Sequence, residues 1–393
     1  MICGIGSMLI GAKRQGYDIV GNIEWRPGYW TGTFEHNFPG AFMVKNLKSL
    51  TPEQLEQCKG VDYLAGHTEC GNFSPVNMYH RPGHDPMFSD IPNFAEAVRV
   101  LEPKVFAMDN LPPSLFQFGP DWWAAQCPGY DIDFEWVSNF NYGNPQKHRK
   151  RLFVIGAKSD LGFYFIPGEK PGELTDSVGQ RLWGLAPDAP NHFVQGEEDW
   201  QDGFFRYMTD LSISPQDGGE RLTLREFRKF FGPQPSRTSL QYYTKIGKLT
   251  KRIGYQKIPS SGPCPVLCKY STVFKSEDCR LLTVRERARM QGCPDDFVFI
   301  PEGQKPGDRG WAKQVMQTGK CMPVEFTSYL SAYVKWFLEG NRPEDFPGVT
   351  MKRYLNPNPN IDRAKQEWCG GYGYTCQDKI CRFCGSRKGC PNV

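Results

Sequence analysis

Short apolar runs alternate with amphipathic stretches over the first 160 residues of the chain. A strand is predicted over residues 17–24, where it ends in the acid Glu24, and buried strands are predicted over residues 61–64, 105–108, 134–139 and 151–156. Helical spacing of apolar side chains is found in residues 8–16, 47–58 and 91–101. Because strands and helices alternate, the pattern predicts an α/β fold.

The pattern changes between residues 157 and 278. Helical periodicity fades there, and turn residues, short β-like runs and aromatic side chains take over. Residues 236–252 mix lysines and arginines with Tyr242 and Tyr243. This mixture is typical of a surface that binds a nucleic-acid backbone, and an exposed basic loop explains it equally well.

The α/β pattern returns at residue 280. Thr283 and Glu286 form a predicted capping box, and the helix that they begin ends at Gly292. A turn is predicted over residues 317–323, a long apolar helix over 324–338, and a Pro- and Asn-rich linker over 341–362.

Composition narrows the class of protein. The 393 residues allow two or three domains, and 39% hydrophobic with 23% charged residues is ordinary for a globular protein. The formal charge of +4 permits nucleic-acid binding without requiring it. No apolar run reaches the ~18–20 residues of a membrane span, and the first residues lack the features of a signal peptide. We therefore expect a cytoplasmic protein whose 14 cysteines are thiols or metal ligands.

A glycine turn at the start of the chain predicts a nucleoside site. Gly4-Ile5-Gly6 precedes a helix and a strand that ends in Glu24, whose carboxylate suits ribose hydroxyls. Trp25 offers a face on which adenine can stack. A purely structural turn with an exposed acid is the alternative.

Two strand ends carry candidate catalytic groups. Cys70 lies in the loop after the strand at 61–64, and a thiolate there is a candidate nucleophile, although a lone loop cysteine is more often inert. Asp109 follows the strand at 105–108, where Asp-Asn before prolines also forms ordinary turns. The basic loop over residues 142–150 is either a solvated charge run or an anion clamp.

The C-terminal tail is rich in cysteine. Its spacing is C-x6-C-x4-C-x2-C-x5-C from Cys369 to Cys390. A structural Zn²⁺ site is the favoured interpretation, ahead of no metal and of an iron–sulfur cluster. The expected zinc ligands are Cys376, Cys381, Cys384 and Cys390.

In order along the chain, these motifs resemble those of the DNA cytosine-5 methyltransferases, over residues 1 to about 340. The segment from Arg280 to Pro294 resembles the family's Arg-x-Leu-Thr-x-Arg-Glu-x-Ala-Arg-x-Gln-Gly helix almost completely. The other matching elements are Gly4-Ile5-Gly6, Glu24-Trp25, residues 67–74 around Cys70, Asp109-Asn110-Leu111, Pro145-Gln146, Arg149-Lys150-Arg151, residues 263–267 and Gly319-Lys320.

The resemblance implies a Rossmann-like fold that binds S-adenosylmethionine and carries an inserted target-recognition domain. The implied domains are a first catalytic part at 1–156, the recognition domain at 157–278, the completion of the catalytic domain at 279–345, and a linker with the Cys-rich tail at 346–393. The implied partner is double-stranded DNA, and the family leans towards monomers. The residues expected to bind the cofactor are Cys3, Gly4, Ile5, Gly6, Glu24, Trp25, Asn46 and Lys320.

The resemblance also implies catalytic roles. The Cys70 thiolate adds to C6 of a flipped cytosine, and C5 then takes a methyl group. Asp109 is the acid near N3, Arg149 or Arg151 binds the base's O2, and Asn110 braces the catalytic loop.

Departures from the family motifs keep alternatives open. Thr68 and Glu69 replace the prolines before the nucleophile, and Gly71 replaces the following Gln. Asp109 replaces a Glu, so that it reaches N3 only if the base or backbone shifts by roughly 1 Å. Lys320 replaces an Asn and suits a carboxylated donor, carboxy-S-adenosylmethionine, which gives 5-carboxymethylcytosine. An inactive DNA-binding relative and an RNA cytosine methyltransferase are the competing interpretations.

Overall fold

The computed structural model describes residues 4–24, 27–70, 73, 90–146, 149–168, 177–193, 222–223, 252–253, 255–258, 260–267, 272–275, 280–308, 310–322 and 324–349. The chain forms two compact units. The first unit comprises Met1–Tyr142, Lys150–Glu173 and Val324–Val393, and the second comprises Gly143–Arg149 and Leu174–Pro323. The domain limits expected at residues 156, 278 and 345 stay predictions.

The strands and helices of the described residues have the following bounds. The strands are β1 (Gly21–Ile23), β2 (Phe42–Val44), β3 (Tyr63–His67), β4 (Val105–Asn110), β5 (Tyr130–Ser138), β6 (Lys150–Lys158), β7 (Leu222–Thr223), β8 (Arg252–Ile253), β9 (Tyr255–Ile258), β10 (Thr272–Lys275) and β11 (Arg280–Leu281). The helices are α1 (Ser7–Arg14), α2 (Pro27–Asn37), α3 (Pro52–Cys58), α4 (Ile91–Leu101), α5 (Pro120–Gln126), α6 (Val178–Leu182), α7 (Val284–Met290), α8 (Trp311–Lys320) and α9 (Val324–Leu338).

The first unit is built on a mixed sheet of order β3-β4-β6-β5. β3 and β4 run parallel, whereas β6 runs antiparallel to both of its neighbours. β1 and β2 form a separate parallel pair. The α/β fold class expected from the sequence is confirmed.

The core of the first unit lies where α4 and α5 cover the sheet. Phe94 of α4, Phe106 of β4 and Trp123 of α5 are fully buried, and their rings contact one another. The helix predicted at residues 91–101 is confirmed with the same bounds, because its apolar face packs against this sheet.

The helix predicted at residues 324–338 is also confirmed as α9, which packs on α1. A Cβ at Gly11 would lie 2.6 Å from the carbonyl carbon of Thr327, so the two helices approach closely at this glycine. The Tyr333 hydroxyl donates to the carbonyl of Tyr164 (2.8 Å) and accepts from the amide of Ile166 (3.1 Å). Helix α9 therefore ties the segment after β6 to the start of the chain.

The second unit contains α6, α7 and α8 and the short strands β7–β11. The predicted capping box at the start of α7 is confirmed: the Glu286 amide donates to Thr283 Oγ1 (3.1 Å), and the Thr283 amide donates to Glu286 Oε2 (2.8 Å). Arg285 is fully buried, and its guanidinium donates to the backbone carbonyls of Pro190, Pro294 and Phe297. One side chain thus holds the segments on both sides of α7.

Several local boundaries differ from the prediction. β3 continues through His67 rather than ending at residue 64, and Asp109 and Asn110 lie inside β4 rather than in a turn, because ladder pairing extends both strands. Residues 317–320 belong to α8 rather than to a turn. Thr318 is buried there and accepts from Arg287 Nε (3.1 Å), and this tertiary contact outweighs the ~1 kcal/mol cost of a glycine in a helix.

Candidate active site

Three strand ends meet at one edge of the sheet in the first unit. His67, the last residue of β3, pairs in register with Asp109 of β4. Asp109 pairs in turn with Phe153 of the antiparallel strand β6, so that Arg151 near the start of β6 lies at the same edge. Carboxyl ends of parallel strands are where α/β proteins place their chemistry.

Asp109 is the centre of this edge. Its side chain is fully buried, and His67 Nδ1 lies 2.5 Å from Oδ1, within hydrogen-bond distance. Arg151 Nε lies 3.4 Å from Oδ2 and forms an ion pair with the carboxylate. Buried carboxyl groups need such partners, and the carboxyl group of Asp109 lies between two basic side chains.

The backbone before Cys70 is attached to β4 by side-chain hydrogen bonds. Thr68 Oγ1 donates to the Asp109 carbonyl (3.2 Å), and Asn110 Nδ2 donates to Thr68 Oγ1 (2.7 Å). Both Thr68 and Asn110 are fully buried. Asn110 therefore makes the contact that a bracing residue for the Cys70 loop requires.

Cys70 itself is held by contacts on both sides. The amide of Glu69 donates to Asp90 Oδ2 (3.3 Å) at the start of α4. The Cys70 carbonyl accepts from the amide of Phe73 (3.1 Å), whose buried ring packs edge-on against Phe118. Cys70 is half-buried and lies three residues beyond the His67–Asp109 contact.

Two buried cysteines, Cys127 and Cys264, are poor competitors for alkylation. Burial raises the pKa of Cys127 to about 11 and that of Cys264 to about 12. Two pH units above the ordinary thiol value leave about 100-fold less thiolate. We expect iodoacetamide near neutral pH to modify Cys70 at least ~100 times faster than Cys127, as measured by peptide mass spectrometry over time. Equal labelling of both cysteines would contradict this burial.

The residues expected to bind the cofactor come together in part. Glu24 follows β1, and its Oε2 accepts from the Gly4 amide (3.1 Å). The Asn22 side chain donates to the Gly4 carbonyl (3.1 Å). Gly4 and Gly6 have φ angles of 51° and 82°, and a Cβ at Gly6 would lie 2.5 Å from the Phe38 ring. This glycine turn beside a strand-end acid fits a nucleoside ligand.

Other predicted cofactor residues are placed less closely. Ile5 is buried, whereas Asn46 is exposed. Asn46 follows β2, the strand that pairs with β1, and Glu24 follows β1. Lys320 ends α8 in the second unit. Cys3 and Trp25 lie outside the described residues.

The two candidate arginines have different surroundings. Arg151 lies in the first unit beside Asp109, whereas Arg149 lies in the second unit and is fully buried. Arg149 donates to the backbone carbonyls of Leu267 (2.8 Å) and Cys321 (2.5 Å). The guanidinium of Arg149 is thus engaged with main-chain oxygens.

Two further features bear on ligands. Within the described ranges, no group of three or more histidines, cysteines or acids is arranged to hold a metal ion, and the zinc ligands expected at Cys376, Cys381, Cys384 and Cys390 lie outside those ranges. A cavity lined by Tyr17, Asp62 and Lys104, among others, lies at the amino ends of β1 and β3, away from the candidate site.

None of the described helices is long and apolar enough to cross a membrane.

His67 is the site residue that the sequence interpretation missed. Its only cue was its position three residues before Cys70, because its partner Asp109 lies 42 residues away in the chain. The predicted strand ended too early to place it at the sheet edge.

Comparison with known proteins decides the family. The profile of the C-5 cytosine-specific DNA methylases matches residues 1–335. The chain belongs to this family. The sequence resemblance is thereby confirmed, and the family relation implies S-adenosylmethionine as cofactor and DNA as substrate.

Curated relatives of this cytosine-5 methylase are Type II methyltransferases. M.MthTI of Methanothermobacter thermautotrophicus is 25% identical over 359 residues, which cover 86% of this chain and 96% of the relative. M1.HphI of Haemophilus parahaemolyticus is 26% identical over 344 residues and covers 82% of both chains.

Solved structures support the fold. A proposed DNA modification methyltransferase encoded within an E. coli prophage superposes with a TM-score of 0.58 at 18% identity, covering 86% of this chain and 98% of the other. A DNMT2 of Spodoptera frugiperda superposes with a TM-score of 0.52 at 13% identity, covering 86% and 97%. The methylase therefore has the α/β fold of methyltransferases that use S-adenosylmethionine.

Proposed function

We propose that this methylase transfers a methyl group to C5 of a cytosine flipped out of double-stranded DNA, with Cys70 as the nucleophile. The observation that carries the proposal is the sheet edge where the Cys70 loop, Asp109 and Arg151 are joined by specific contacts. In a chain of this family, such an edge supports nucleophilic catalysis on a base.

The reaction needs a nucleophile because C5 of cytosine is too weakly nucleophilic to react unaided. The Cys70 thiolate adds to C6, and the ring becomes an enamine whose C5 is nucleophilic. S-adenosylmethionine, when bound, supplies the activated methyl group that C5 takes. A base then removes the C5 proton, and the Cys70 thiolate leaves. The duplex hides C5 and C6, so the base has to be flipped into the site.

The proton that balances the addition has to reach N3. We assign this proton transfer to the sheet edge where His67 and Arg151 contact Asp109. Of the two arginines, Arg151 is the one we assign to O2 of the base, because it lies beside Asp109. Arg149 is assigned a structural role, since it donates to two buried carbonyls.

Glu24 and the glycine turn are assigned to the cofactor. The Glu24 carboxylate beside the Gly4 amide would accept hydrogen bonds from the ribose hydroxyls. The cofactor roles of Cys3, Ile5, Gly6, Trp25 and Asn46 rest on the family resemblance. We assign DNA recognition to residues 157–278, and the zinc-binding tail stays a prediction.

Nucleoside mass spectrometry tests this function. DNA from cells that express the protein is expected to contain deoxycytidine heavier by one methyl group, absent from cells with the empty vector. A carboxymethyl mass would instead identify a carboxylated donor, and Lys320→Asn would then be expected to restore the methyl product. No new nucleoside in DNA, together with no transfer to DNA in vitro, would overturn the proposal in favour of a DNA-binding relative. Modified cytosine in tRNA alone would favour the RNA enzyme.

A further inference from the structure

We propose that His67, and not Asp109, donates the proton to N3 of the target cytosine. Asp109, which is paired with Arg151, fixes the orientation of the His67 ring. This proposal rests on the proposed cytosine-5 methyl transfer and names a catalytic group for it. It is carried by the 2.5 Å contact between His67 Nδ1 and Asp109 Oδ1 at the sheet edge.

Burial and reach favour the histidine over the carboxylate. The Asp109 side chain is 0% exposed, whereas the His67 side chain is 13% exposed. Asp109 is also one methylene shorter than the glutamate of the family motif. The imidazole lies at hydrogen-bond distance from this shorter carboxylate and is partly exposed, so we assign to it the reach that the carboxylate lacks.

Both oxygens of Asp109 face basic side chains. Oδ1 lies against His67 and Oδ2 against Arg151. A carboxylate in this setting stabilises an imidazolium and fixes the orientation of its ring. With Nδ1 engaged by Asp109, Nε2 is the ring nitrogen left to meet a base.

The position of His67 also suits a reaction at Cys70. Thr68, the next residue, forms hydrogen bonds with Asp109 and Asn110, and the Glu69 amide forms one with Asp90. The proton donor and the nucleophile therefore lie three residues apart on one anchored segment. A base held by Arg151 at O2 would present its neighbouring N3 to the same edge.

The proton on N3 is balanced by His67 alone, and removal of the C5 proton is the separate step assigned above to a base. As the Cys70 sulfur bonds to C6, the electron pair of the C5–C6 bond moves through the ring, and N3 takes the proton from His67 Nε2. His67 is then neutral and still donates Nδ1–H to Asp109. When Cys70 leaves at the end of the reaction, the N3 proton returns to Nε2. The imidazolium is thereby regenerated.

His67→Gln tests the proposal in methyl transfer from labelled S-adenosylmethionine to unmethylated bacterial genomic DNA. General acid catalysis contributes about 10²–10⁴-fold, and we expect kcat to fall by that factor while KM for DNA changes less than about threefold. Equal melting temperatures of wild type and variant would separate this loss from misfolding.

A double variant provides the matched rescue. His67→Gly opens space at the edge, and Asp109→Glu adds the missing methylene, so that a carboxyl group regains the reach to N3. We expect the double variant to recover at least about tenfold of the activity lost in His67→Gly alone. A merely structural histidine predicts no such rescue.

The pH profile is a second readout. Among the described residues, Asp109 contacts His67, Arg151 pairs with Asp109, and Glu69, two residues after His67, donates its amide to Asp90. The part of the kcat profile that depends on proton donation to N3 is expected to disappear in His67→Gln.

The two levels of proposal fail differently. If the wild type transfers methyl groups and His67→Gln has the same kcat or the same pH profile, the role of His67 is overturned. The proposed methyl transfer is unaffected by that result. Absence of transfer by the wild type to any DNA would overturn both.

Discussion

Cys70→Ala is expected to lose methyl transfer by at least about 10⁴-fold while its melting temperature stays near that of the wild type. Without the thiolate, C6 receives no nucleophile and C5 stays unactivated, however well the base and cofactor bind. The side chain is half-buried and lies on a loop, so its loss removes little apolar packing. Labelled methyl transfer to unmethylated DNA measures the effect.

Cys58→Ala is the matched control for this variant. Cys58 ends α3, and burial raises the pKa of its thiol, which disfavours the thiolate. Its alanine variant is expected to transfer methyl groups at the wild-type rate. Transfer by Cys70→Ala above background would show that another group is the nucleophile.

Arg285→Met is expected to lower the free energy of unfolding by about 3–5 kcal/mol, because three backbone carbonyls lose a buried charged donor. Methionine has a similar length and keeps most of the packing, so the loss reports the hydrogen bonds. Burial lowers the pKa of the guanidinium, yet its contacts with carbonyl oxygens need the charged form. Urea unfolding measures the change as a shift in the transition midpoint.

Lys313→Met is the control for Arg285→Met within the same unit. Lys313 is exposed and donates to the Glu302 carbonyl (3.0 Å). Its variant is expected to change the free energy of unfolding by less than about 0.5 kcal/mol. Similar effects of both substitutions would contradict the role assigned to the buried arginine.

Local sequence patterns predicted the elements whose stability is local. Helix α4 was placed correctly because its apolar spacing is unbroken, and the capping box of α7 because Thr283 and Glu286 bond within one turn. The ends of β3 and β4 were missed, since His67 and Asp109 owe their strand conformation to each other's pairing. No local propensity records such pairing.

The candidate site was also predictable only where the signal is local in the sequence. Cys70 and Asp109 were found because each follows an apolar run. The different surroundings of Arg149 and Arg151, two residues apart, depend on contacts with Leu267, Cys321 and Asp109 that the sequence does not encode locally. His67 became a candidate only when the strand register placed it against Asp109.

The packing of α9 on α1 sets an order for biosynthesis. Helix α9 belongs to the first unit, yet it is separated from the earlier parts of that unit by residues 174–323. At ~5–20 residues per second, a ribosome needs roughly 8–30 s to cross that interval. During this time α1 and the segment after β6 lack their contacts with α9, because that helix has not yet been synthesised.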